Sequence, residues 1–108
     1  MVVDTASVEH EISSYIADVT QTMHIDKVYL YGSYAKGTQS KYSDVDICFF
    51  SSDFEGQRSV DILTRLLKLA RNYQADIEPK AFPTSELDQD NPFVKEILRT
   101  GREITIFQ

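Results

Sequence analysis

Residues 27–50 run KVYLYGSYAKGTQSKYSDVDICFF, two apolar stretches joined by a polar one that carries two glycines. Lys27-Val28-Tyr29-Leu30-Tyr31 is short, β-branched and aromatic, and it stops at Gly32, the pattern of a strand feeding a tight turn. After a polar loop from Thr38 to Ser43, Asp44-Val45-Asp46-Ile47-Cys48-Phe49-Phe50 reads as a second strand that begins with alternating polar and apolar residues. Residues two apart on a strand point to the same side, so Asp44 and Asp46 project as a pair of carboxylates. Two such charges repel unless a cation compensates them. An all-oxygen set selects a hard ion, and Mg²⁺ held by one or two carboxylates together with substrate phosphates is the commonest arrangement. Gly32 supplies the other half: without a side chain, the backbone at a strand-to-helix turn approaches phosphate oxygens closely, and N–H groups at a helix start favour anions. Ser33 adds a hydroxyl donor, Lys36 a charge toward the β- or γ-phosphate, and Gly37 allows the following turn. Gly32 and Gly37 match neither the P-loop nor the dinucleotide spacing, so the phosphate grip is of another type.

Outward from this centre, Val8, Ile12, Ile16, Val19 and Met23 recur at helical intervals from Ser7 to about Met23, with Thr5 or Ser7 available as a cap. Beyond the second strand, Val60, Leu63, Leu66, Leu67, Ala70 and Tyr73 mark a second amphipathic helix whose wetter faces carry Arg58, Arg65, Lys68 and Arg71. Asp76-Ile77-Glu78 opens a third strand reaching about Phe82, and Pro79 implies an edge position or an early end to pairing. Asn91-Pro92-Phe93 starts a helix with a cap residue and Pro at its first position, Gly101 ends it, and Ile104-Thr105-Ile106-Phe107 adds a short last strand. The pattern is α/β: a small mixed sheet with helices packed mainly on one face, and the site at the turn after the first strand.

At 108 residues the chain has the length of one domain, residues 1–108, and 42% hydrophobic with 26% charged residues is a globular composition. A net charge of −6 opposes stable DNA or RNA binding, which rests on neutralising phosphates, while a free nucleotide carried with metal ions remains compatible. Cys48 is the only cysteine, and with His10 and His24 it gives no zinc spacing. An acidic Asp4 near the N-terminus and the lack of a long apolar run point to neither export nor a membrane, so a cytoplasmic setting is expected.

Tyr31-Gly32-Ser33, ten further residues, then Asp44-Val45-Asp46-Ile47 resembles the hydrophobic-Gly-Ser…Asp-x-Asp signature of polymerase β-type nucleotidyltransferases, and GSYAKG and SDVDI look like their small prokaryotic members, the minimal antitoxin-like nucleotidyltransferases. The likeness runs on through Asp76-Ile77-Glu78-Pro79 and Asn91-Pro92-Phe93 to Gly101. It implies the polymerase β-like fold and a third carboxylate after the second helix. Asp76 and Glu78 are both candidates, facing the same way; small members favour Glu78, with Asp76 in reserve. It also implies Mg²⁺-dependent transfer of a nucleotidyl group, AMP from ATP or another triphosphate, onto a hydroxyl through a pair of ions bound by Asp44, Asp46 and Glu78. Lys36 stands where the family often has arginine, a point charge in place of a bidentate fork. Larger members carry an additional helical domain. A chain this short is therefore expected to use a helical HEPN-type partner, which it adenylylates, or self-association. The rival reading is a non-catalytic antitoxin or partner-binding module on the same fold, and modification of a small molecule ranks below both.

Some residues have blander explanations. Cys48 lies on the Asp46 side of its strand but is read as a small buried hydrophobe. His10 and His24 are read as surface residues, and Arg65, Lys68 and Arg71 as a solvated helix face. Among Tyr29, Tyr31, Tyr34 and Tyr42, most are read as packing or surface, with Tyr34 the best placed to stack on a base.

Overall fold

The helical spacing near the N-terminus is realised as α1 (Thr5–Thr22), which buries Val8, Ile12, Tyr15, Ile16 and Val19 along one stripe. This is a computed structural model, and it describes residues 5–32, 35, 37 and 44–106. Ser33, Tyr34, Lys36, Thr38 to Ser43 (Tyr42 included) and Phe107 lie outside the described residues. Among the described residues α1 is followed by β1 (Lys27–Tyr31), β2 (Val45–Ser51), α2 (Ser59–Ala70), β3 (Ile77–Pro83), α3 (Pro92–Thr100) and β4 (Arg102–Ile104). Short 3₁₀ turns follow β2 at Ser52–Phe54 and β3 at Thr84–Leu87.

The four strands form one mixed sheet in the order β3-β2-β1-β4. β1 runs antiparallel to both β2 and β4, and β3 runs parallel to β2, with α2 as the crossover between them. Alternation decides which side chains reach which face. Val28, Leu30, Val45, Ile47, Phe49 and Ile77 meet α1 and α2 in the larger core, while Cys48 and Phe50 on the other face meet Val94 and Ile97 of α3. Of the three α-helices among the described residues that pack on the sheet in this way, two thus share one face and the third covers part of the opposite one. No described helix is long and apolar enough to cross a membrane.

β3 is an edge strand, as Pro79 requires. The Val45 N–H donates to the Asp76 carbonyl at 2.8 Å, so along β3 the even residues turn their backbone toward β2 and Pro79 turns outward, where a missing N–H costs nothing. At the other edge, the last strand begins at Arg102, earlier than its apolar residues suggest, because Leu30 pairs with Arg102 directly after Gly101.

Tyr15 ties the two helices of the larger core together. Its ring is fully buried, edge-on to Phe49 at 5.9 Å, and its hydroxyl donates to the Leu66 carbonyl at 2.9 Å. Tyr15→Phe keeps the ring and removes the donor, so unfolding free energy should fall by about 1 kcal/mol. Urea denaturation checks this, with an unchanged dependence on denaturant expected because the buried surface stays the same.

Candidate active site

On the face away from α1 and α2, the register lines side chains up in rows across three strands. Tyr31 stands opposite Asp46 and Asp46 opposite Glu78; one step along, Tyr29 stands opposite Cys48 and Cys48 opposite Lys80. Asp44 and Asp76 come one step in the other direction, just before β2 and β3 begin. Four carboxylates therefore gather where β1 ends and its neighbours start. Oxygen atoms of Asp44, Asp76 and Glu78 lie within 4.8 Å of one another.

Asp46 sits directly beneath the turn. Gly32 has φ +73°, and a Cβ built on it would fall 2.3 Å from Asp46 Oδ2. Glycine is needed here twice, for the left-handed backbone and for the space the carboxylate occupies.

The crowding shows in the acid–base behaviour of the group. Burial, then the charges of Asp44 and Glu78, hold the Asp46 carboxyl above the usual range, against an opposing effect of Lys80. Asp76 is also raised, first by a hydrogen bond to Asp44, which needs a proton on one of the two, then by burial and by the charges of Asp44 and Glu78. The Tyr31 hydroxyl is pushed well up by burial and by Asp46, Cys48 and Glu78, so it stays protonated and able to donate. An all-oxygen donor set with uncompensated negative charge fits a hard divalent ion, which would take the place of the shared proton. Asp44, Asp46, Asp76 and Glu78 are the residues that could hold it.

Of the residues singled out in the sequence, the fold brings Gly32, Asp44, Asp46, Asp76 and Glu78 together. Ser33 and Lys36 lie outside the described residues. Both candidates for the third carboxylate are present, because residues two apart on an edge strand share a face. Cys48 is fully buried, and burial pushes its thiol up to about 12, which suits the packing role read for it. His10 and His24 are both exposed, and His24 pairs with Asp26 at 2.9 Å.

Two neighbours of the site were not foreseen. Lys80 is an exposed cation on the acidic face, with no carboxylate in salt-bridge contact among the described residues. Its signal in the sequence is the period of two that links it to Glu78. Phe93 is 43% exposed yet held against Tyr31 and Phe82, with ring centres 5.9 and 5.8 Å away, by an α3 whose start is fixed by Asn91 accepting from the Phe93 and Val94 N–H groups. It forms an aromatic rim beside Tyr31.

A shallow groove of about 420 Å³, with Leu67, Arg71, Tyr73, Gln74, Asp76 and Glu78 in its wall, opens beside the carboxylates. An apolar cavity of about 350 Å³, lined by Ser13, Ile16, Thr20, Ile104 and Ile106, lies at the opposite edge of the sheet and includes no carboxylate.

The family model described as "Polymerase beta, Nucleotidyltransferase" matches residues 12–106. Among solved structures, a presumed nucleotidyltransferase from Sulfolobus solfataricus superposes with a TM-score of 0.61 at 18% identity, over 95% of this chain and 89% of that one. A toxin–antitoxin structure with AMP-PNP gives 0.62 at 22% identity, over 88% and 73%. A further presumed nucleotidyltransferase gives 0.56 at 23% identity, over 90% and 97%. At these identities the likeness is one of fold. No curated protein sequence matches the chain.

Proposed function

Because the chain belongs to the polymerase β nucleotidyltransferase family, we propose that it transfers a nucleotidyl group, AMP from ATP, onto a hydroxyl of a protein acceptor. One observation carries this reading: four carboxylates gathered on one sheet face, one of them seated under a glycine bend. Asp44 and Asp46, with Glu78 as third ligand and Asp76 in reserve, would hold Mg²⁺. Bound there, a pair of ions supplies charge neutralisation for the triphosphate and lowers the pKa of the acceptor hydroxyl.

The chain's own residues do the rest. The bend at Gly32, followed by Ser33 and Lys36, receives the triphosphate, and the Tyr31 hydroxyl and Lys80 offer donors at the floor. Glu78 orients the acceptor hydroxyl and takes its proton. The acceptor oxygen bonds to the α-phosphorus, the bond to the bridging oxygen breaks, and pyrophosphate leaves. A cytoplasmic setting, with its supply of ATP and Mg²⁺, belongs to this reading.

The toxin–antitoxin relative with AMP-PNP supports both the nucleotide and a protein partner. The acceptor in this reading is a helical partner of the HEPN type, and the likeness to a toxin–antitoxin structure supports a protein partner. The same relative leaves room for a second reading, in which the chain neutralises its partner by binding alone. Neutralisation that survives Asp46→Asn, together with no binding of ATP and Mg²⁺, decides for that reading.

The test of transfer uses ATP labelled at the α-phosphate, Mg²⁺ and the protein encoded beside this chain. Label is expected on a hydroxyl side chain of that protein, and chelation with EDTA should abolish it. Glu78→Gln should lower kcat by about a hundredfold or more, and Asp76→Asn by less. Label that appears without Mg²⁺, or equally with both variants and wild type, counts against the assignment.

A further inference from the structure

Val60, Thr64, Leu67 and Arg71 recur at helical intervals along α2 and are all exposed, so they form one stripe that runs down the helix into the groove beside Asp76 and Glu78. Val60 and Leu67, at 55% and 44%, are two of the three large hydrophobic side chains exposed among the described residues. Buried Ile62, Leu66 and Ala70 hold the opposite side of α2, so packing among the described residues does not account for the stripe. The flank is cationic: Arg65, Lys68 and Arg71 are exposed and have no carboxylate in salt-bridge contact among the described residues, on a chain whose net charge is −6.

The groove is built in advance. The Glu11 carboxylate accepts from the Gln74 and Ala75 N–H groups at 2.6 and 3.1 Å, and the Tyr73 hydroxyl donates to Asp18, so the loop that walls the groove is tied to α1. Pro79 and Pro83 on the edge strand oppose pairing of an added strand along β3, which favours side-chain docking on α2 over strand addition at this edge.

We propose that this stripe and groove are the acceptor site, taking a helical polypeptide segment with an apolar stripe and acidic flanks that presents a hydroxyl side chain to Asp76 and Glu78. The apolar stripe matches Val60 and Leu67, and the acidic flanks match Arg65, Lys68 and Arg71. The acceptor role rests on the nucleotidyl-transfer reading above; the docking surface is tested separately from it.

The probe is a synthetic helical peptide with a leucine stripe, glutamate flanks and one terminal tyrosine, alongside a twin with lysine flanks. Amide shifts on titration are expected at Val60, Leu67, Arg71 and Gln74, and Leu67→Asp and Arg71→Glu should each weaken the glutamate peptide at least about tenfold. Arg71→Glu should narrow the preference for the glutamate peptide over the lysine twin, since Arg65 and Lys68 remain. Affinity for ATP with Mg²⁺ should stay at the wild-type value in both variants, and label from ATP should reach the peptide tyrosine. Shifts elsewhere, no binding by wild type, or equal binding by the variants overturns the proposal. Concentration-dependent shifts at Val60 and Leu67 without peptide also overturn it, by revealing a second copy as the occupant. Peptide docking as described without binding of ATP by wild type upholds the surface and overturns the transfer reading instead.

Discussion

Asp46→Asn is expected to cut nucleotidyl transfer by about two to three orders of magnitude while leaving the metal-free protein as stable as wild type or more so. The two effects share one cause. Asp46 is held in a half-buried place beside Asp44 and Glu78, where its charge is unfavourable until a cation arrives. Asparagine keeps the shape and removes the charge, so the fold should be relieved and the proposed ion-binding set broken. The pH dependence follows in sign. A carboxyl with a raised pKa binds its proton more tightly folded than unfolded, so its contribution to stability worsens as pH rises from the unfolded value through the folded one. The difference in Tm between variant and wild type should therefore be largest at neutral pH and close as pH falls through the raised pKa of Asp46. Added Mg²⁺ should raise the Tm of wild type more than that of the variant. Scanning calorimetry across pH, with and without Mg²⁺, reads all three. A variant clearly less stable than wild type at neutral pH without metal would show that Asp46 has a structural role.

Gly32→Ala should lose transfer to a similar extent while costing about 1–2 kcal/mol of stability from the left-handed backbone alone. The added methyl would meet Asp46 Oδ2 at 2.3 Å and Cγ at 3.3 Å, so either the carboxylate or the bend must move. Gly37 provides the control, since its φ is +74° but a Cβ there has nothing within 4 Å among the described residues. Gly37→Ala should show a comparable loss of stability and keep most of the activity. If both variants lose activity equally, backbone conformation in the turn is what matters and the collision with Asp46 is not.

Much of this was legible because local chemistry fixed it. Pro92 with Asn91 before it and Gly101 after set the ends of α3, and the spacing of Gly32 from Asp-x-Asp singled out Gly32 and the Asp46 that sits beneath it. Ends drifted where packing overrides composition. The crossover helix stops at Ala70, before the apolar Tyr73, because Tyr73 turns back to Asp18 on α1. The strand order and the place of α3 were not readable, since periodicity tells which face of an element is apolar and not which partner covers it. Lys80 and Phe93 were missed for the same reason. Each is ordinary in its own segment and gains meaning only from the strand or ring beside it.

The most direct measurement is a crystal structure with Mn²⁺ in place of Mg²⁺ and a non-hydrolysable ATP analogue. Anomalous density is expected between Asp44, Asp46 and one of Asp76 and Glu78, with the triphosphate against the bend at Gly32. Metal bound elsewhere, or a triphosphate seated away from the bend with the four carboxylates unliganded, contradicts the assignment of this face as the active site.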